Sequence, residues 1–302
     1  MILQREHRVL RQNFIFYLVG VLVVLGAKYY YSQADCDSLL WILAPTTHWV
    51  ELLSGIPFTY ISGTGYVNHR LRLLIAPACS GVRFMIITFA TLVFSFVHSI
   101  ASLQGFPASK ASLRIVKGLG WIAVSIFFSW IFTVFVNGLR IITAIYLPQY
   151  LDRAGLMGGL LTPDRLHTMI GVVVYFIALL TIYRLVGYLV SMLPGLSGQS
   201  RKTDLAGQSQ AVPDSHKAAH SSHKATPSSQ EVVRQQCPRT FARKCMSPVF
   251  WYFFMTLGLP FLNRAYLKSP AEFTELATLV ICCAALILLP YYLLSLLRSR
   301  KL

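Results

Sequence analysis

"LGWIAVSIFFSWIFTVFVN", residues 119–137, holds no charged side chain. It nearly matches the roughly 20 apolar residues an α-helix needs to cross a hydrocarbon core about 30 Å thick. Comparable runs fall at about 14–31, 82–101, 168–190, 248–267 and 276–297. With 55% hydrophobic and only 13% charged residues among 302, the chain is too apolar for an ordinary soluble domain. The pattern predicts an all-α fold, a polytopic transmembrane helix bundle of about six spans. A formal net charge of +16 then points to cytoplasmic loops and contact with the lipid bilayer, and not to nucleic acid. The first run follows "MILQREHRVLRQN" with no small-residue cleavage site, which reads as an uncleaved anchor.

A seventh piece, "SLLWILAPTTHWVELLSG" (residues 38–55), is interrupted by Pro45 and carries His48 and Glu51. If it does not cross, and the N-terminus is cytoplasmic, most of the 27 Lys and Arg residues fall inside. These include Arg5, Arg8 and Arg11, then Lys110, Arg114 and Lys117, and finally the basic tail. Crossing would translocate the later basic segments, against the positive-inside rule. Residues 38–55 therefore read as an interfacial or re-entrant helix on the outer side.

Three regions result: a membrane domain over 1–193, a basic polar linker over 194–246, and a two-helix membrane hairpin over 247–302. The linker is rich in Ser, Gln, Ala, Lys and His and cannot bury a core. Its His216, His220 and His223, followed by Cys237 and Cys245, lack the paired spacing of a zinc site. No cofactor or metal is expected, and no Gly-rich phosphate loop or HExxH pair occurs.

Three polar residues interrupt the apolar pattern at comparable depth. In "IAPACSGVRF" (75–84), Pro77 suits a first helical turn, which places Cys79 at the positive end of a helix dipole, with Arg83 one turn on. Both features favour a nucleophilic thiolate, although Ala-Cys-Ser-Gly is also a good packing surface. A disulfide between Cys36 and Cys79 is the competing use of the thiol. Arg140, in "FVNGLRIITAIYLP", ends a long apolar helix that Pro148 should stop, with Asn137 one turn earlier. A buried arginine is costly in lipid and faces a cavity or snorkels to headgroups. His167, in "LLTPDRLHTMIGVVVYF", lies one turn into a helix that Thr162 caps and Pro163 begins, with Gly171 four residues on. A thiol, a guanidinium and an imidazole from three helices at one depth form the set acyl transfer needs. Arg83 and Asn137 are candidate substrate-binding residues.

"PACSGVRF", "NGLRI" and "HTMIG", in this order, resemble the exosortase/archaeosortase family of membrane-embedded cysteine transpeptidases. "LLWILAPTTHWVELLSGIPF" and "GTGYV" further resemble the exosortase K subgroup. The resemblance covers about residues 10–190. It implies an inner-membrane enzyme whose partners are membrane-anchored proteins ending in a sorting signal of short motif, helix and basic tail. Cys79 would attack the scissile carbonyl, Arg140 would stabilise the oxyanion and His167 would shuttle the proton, at a site facing the periplasm. A non-catalytic envelope assembly or transport protein is the alternative.

Overall fold

Helix formation follows the apolar runs, but several boundaries move. The computed structural model describes residues 2–101, 111–155, 162–192, 248–262, 267 and 269–300. The helices are α1 (Ile2–Gln33), α2 (Leu40–Ser54), α3 (Val82–Ala101), α4 (Ala111–Arg153) and α5 (Pro163–Met192), then α6 (Pro248–Leu262) and α7 (Pro270–Arg300). All but α2 and α6 are long and apolar enough to cross a membrane, so this is an α-helical membrane bundle. The 194–246 linker, with its histidines and cysteines, lies outside the described residues.

The sixth expected span, about 248–267, is described as the apolar helix α6 up to Leu262, and residues 263–266 lie outside the described residues. The role of α6 follows from direction. Arg165 Nε donates to Glu275 Oε1 at 2.5 Å, so α5 and α7 begin side by side and run parallel. The chain must climb back between Met192 and Pro270, and α6 covers part of that return, setting Tyr252 edge-on to Phe176 at 5.1 Å.

α4 is longer than the sequence implies. Its 43 residues extend about 64 Å at 1.5 Å per residue, twice the hydrocarbon thickness. It starts before the basic residues Arg114 and Lys117 and continues through Pro148. Proline's fixed φ is itself helical; its cost is a missing N–H bond and crowding against the preceding turn. α2 lines this projecting half, with Trp49 lying over Gly138 and 5.2 Å from Phe135. A side chain at Gly138 would collide with that indole.

α3 is the central helix. Most of its residues are buried, whereas the membrane segment of α1 is mostly exposed. It packs on α1, α4 and α5. Gly20 of α1 sits against Val93. The buried Ser125, Ser129, Thr133 and Asn137 form a small polar stripe on α4 at fourfold spacing, which lets helices approach closely. Outward on α4, Val124, Phe127, Ile131 and Phe135 are exposed, as a lipid-facing surface requires.

A small antiparallel sheet was not legible beforehand. β1 (Thr59–Ile61), β2 (Gly65–Asn68) and β3 (Leu73–Ile75) form a meander, with Tyr60 opposite Tyr66 and Tyr66 opposite Ile75. Gly65 has φ +121°, and a Cβ there would lie 2.5 Å from the Ile75 carbonyl oxygen; only glycine fits. The sheet is tied to the end of α1 through Asp37, whose carboxylate accepts from Tyr60, from Ser62 at 2.8 Å and from the Gly63 N–H at 3.0 Å. These bonds, Tyr60's foremost, hold the Asp37 carboxyl below its ordinary pKa. The same bond pushes the Tyr60 phenol up to about 12. Glu51 Oε1 accepts the Phe58 N–H at 2.7 Å and fastens the sheet to α2.

Candidate active site

Cys79 does not lie inside α3. Pro77–Cys79 is a 3-10 turn, and Gly81, at φ +75°, breaks the chain before α3 starts at Val82. The expectation of a thiol within the first α-turn is therefore corrected: the thiol rides on a separate turn above the helix terminus. Gly81 is fixed from two sides. Its left-handed backbone disfavours any Cβ, and an added Cβ would lie 2.9 Å from Asn137 Cγ and 3.0 Å from Thr133 Cγ2. The turn thus closes directly onto α4. Cys79 is partly exposed and unpaired, as is the buried Cys36, so no disulfide joins them.

Asn137 is turned inward and is fully buried. Its Nδ2 donates to the Cys79 carbonyl at 2.6 Å, and its Oδ1 accepts from the Tyr175 hydroxyl at 2.7 Å. Both ends of the amide are engaged within the protein, which separates it from the substrate-binding reading. One turn on, Arg140 is 8% exposed. Its Nη2 lies 3.3 Å from His167 Nε2. A guanidinium has no acceptor, so Arg140 donates, and the imidazole is neutral with its proton on Nδ1. Arg140 Cζ also lies 5.4 Å from the Tyr175 ring centroid. Its Nε, buried and without a partner among the described residues, rests against the bare face of Gly171.

His167 stands where the sequence placed it. Pro163 opens α5, the Arg165 N–H bonds Thr162 Oγ1 at 3.4 Å, and Asp164 occupies the first turn. Arg83 is exposed, and its Cζ is 6.0 Å from the Tyr31 ring centroid. It sits beside α1, over Tyr31.

One connected set of contacts therefore links Cys79 through Asn137 to Tyr175, and Tyr175 to Arg140 and His167, across three segments at the end of the bundle nearer the sheet. Tyr175 was missed from the sequence. Its signal was spacing: His167, Gly171 and Tyr175 recur every four residues and so share a helix face. Among the described residues no group of three or more His, Cys, Asp or Glu side chains comes together. The chain matches no protein-family model, no curated protein and no solved structure.

Proposed function

We propose that the protein is a membrane-embedded cysteine peptidase/transpeptidase. It cleaves a C-terminal sorting signal through a thioester and passes the substrate to a surface acceptor. One observation carries this reading: Cys79, Arg140 and His167 come from three separate helical elements yet belong to one contact network at one end of the bundle. The resemblance of "PACSGVRF", "NGLRI" and "HTMIG" to exosortases agrees with it, as does the bias of basic residues toward the other end. On this reading the protein is a multi-pass protein of the inner membrane, N-terminus cytoplasmic, with the site facing the periplasm. There a membrane-anchored substrate presents its first peptide bonds outside the lipid.

In the first half-reaction the Cys79 thiol gives its proton to His167 Nε2, the resulting thiolate adds to the scissile carbonyl, and the oxyanion forms against Arg140. Collapse of the adduct breaks the C–N bond, and the leaving amine takes a proton from the imidazolium of His167. In the second half-reaction an acceptor nucleophile gives its proton to His167 and attacks the thioester, releasing the Cys79 thiolate, which takes that proton back from His167 to restore the resting thiol and neutral imidazole. The resting Arg140–His167 bond occupies the Nε2 lone pair. Arg140 must therefore turn from His167 toward the oxyanion before Nε2 can carry a proton, which couples charge stabilisation to proton transfer.

The test uses a reporter ending in motif, helix and basic tail, co-expressed with the full chain. Cys79→Ala, Arg140→Ala and His167→Ala should each leave the reporter uncleaved. Cys79→Ser should abolish any hydroxylamine-sensitive adduct. Normal processing by Cys79→Ala protein would refute the enzyme reading.

A further inference from the structure

Asn137 can adopt only one amide orientation here. The Cys79 carbonyl can only accept, so Nδ2 must face it, and Oδ1 is left for the Tyr175 hydroxyl to donate to. Tyr175 is itself held on two further sides. Its ring stacks on Phe84 of α3, with centroids 4.4 Å apart and planes within 9°, and Phe84 is buried. The Arg140 guanidinium lies near the same ring, an attraction between a cation and the negative π-face. A single side chain of α5 thereby touches, through one amide, the turn that carries the thiol and, through its ring, the cation.

Besides the bond from Asn137 the turn is held by packing, with Gly81 against α4 and Ser80 buried. Its own backbone bonds are Cys79 N–H to Ala76 O at 2.8 Å and Ser80 N–H to Pro77 O at 3.0 Å. Both are local, and neither relates the turn to α4 or α5. Gly81, in the left-handed region, would act as a hinge if the amide let go.

We infer that Tyr175 is a positioning residue. Its hydroxyl, relayed by Asn137, fixes the Cys79 turn, and its ring fixes Arg140, so that thiol and guanidinium keep one mutual geometry. This rests on the cysteine-peptidase reading for its purpose, but the relay itself can be tested without substrate. Tyr175→Phe keeps the stack on Phe84 and the aromatic face near Arg140 while deleting the hydroxyl, and with it the bonds to Asn137 and Arg140. Asn137→Asp keeps an acceptor for Tyr175 but removes the donor to Cys79.

The measurement is the rate of N-ethylmaleimide modification of Cys79 in the detergent-solubilised full chain, resolved by peptide mass spectrometry, with buried Cys36 as internal reference. The expected result in Tyr175→Phe is a Cys79 rate about fivefold higher, the factor one ordinary hydrogen bond is worth, with the Cys36 rate unchanged. Asn137→Asp should raise the rate at least as much. The double variant should add nothing beyond the larger single effect, because both substitutions break one relay. An unchanged or slower Cys79 rate in Tyr175→Phe overturns the proposal. So does a Cys36 rate rising in step, which marks general loosening, and so do effects that simply multiply in the double variant. No outcome depends on whether Cys79→Ala abolishes processing, so the relay and the enzyme reading can fail separately.

Discussion

Gly171→Ala separates activity from stability. A Cβ built on Gly171 would lie 3.1 Å from Arg140 Nε, 3.7 Å from Nη2 and 3.8 Å from Cζ. Ordinary contact requires about 3.5 Å or more, so the guanidinium must retreat by a few tenths of an ångström. Its bond to His167 is already 3.3 Å long, and a retreat of that size carries it out of hydrogen-bond range. Arg140 has little freedom to recover, being 8% exposed and flanked by the Tyr175 ring. The crowding should cost about 1 kcal/mol, the low end for overpacking. Replacing a mid-helix glycine by alanine returns about 1 kcal/mol in helix propensity. Net stability should therefore stay near wild type. Processing of the reporter should fall about 100-fold, the penalty typical of a misplaced positioning group. The assay pairs thermal unfolding in detergent with quantitative blotting of cleaved reporter. Full-rate processing by Gly171→Ala would show that the placement of Arg140 does not limit the reaction.

Three further outcomes follow from the geometry. Gly81→Ala should destabilise the protein by about 2–4 kcal/mol, combining a left-handed alanine with overpacking against Asn137 and Thr133; a thermal midpoint equal to wild type would contradict the left-handed turn at this position. Asp37 titrates below its ordinary value in the folded protein, so its bonds to the sheet are intact above about pH 4 and are lost as pH falls through the lowered value. The raised Tyr60 pKa has the opposite sense: its contribution is present below about pH 10 and lost as pH rises through about 12. Asp37→Asn should therefore move one tyrosine's absorbance titration back toward the ordinary range, and amide exchange at residues 59–63 should quicken. Arg165→Ala, by contrast, removes an ion pair whose side chains are 41% and 51% exposed; unfolding should shift by no more than about 0.5 kcal/mol, since buried apolar residues such as Leu179, Val280 and Ala284 pack this part of the bundle.

The helices were legible because a lipid-crossing segment must be apolar for its whole length, a strong and local signal. The cap at Thr162 and Pro163 was legible for the same local reason, and it carried His167 to its observed place. The sheet was not, because strands of three or four residues are too short for alternation to register. Its stability comes from Asp37, more than 20 residues away along the chain. At Cys79 the proline was read as an α-helical start and Gly81 only as a small residue leaving the thiol open, whereas Gly81 is where the backbone reverses hand. Asn137 was noticed as polar but given to substrate, since no single-sequence pattern reveals that both ends of its amide find partners inside the protein.

The site is organised by one stripe of α4. Thr133, Asn137 and Arg140, spaced four and three residues apart, share a face, and each meets a different neighbour: the Gly81 hinge, the Cys79–Tyr175 relay and the His167–Gly171 edge. Rotating α4 by one residue, about 100°, would withdraw all three together. That rotation is set by contacts both distant from the chemistry and beside it. Phe16 lies over Gly118, Trp121 Nε1 donates to the Leu92 carbonyl at 3.3 Å, and Trp49 lies over Gly138. Each glycine or indole here is a contact that admits one rotational setting, because a large ring fits only where its neighbour has no side chain. Aromatic-on-glycine contacts, one near the start of α4 and one beside Asn137, therefore fix the angle at which the helix presents asparagine and arginine. This is how a bundle without a hydrophobic driving force between its lipid-facing helices can hold polar groups from three segments in register.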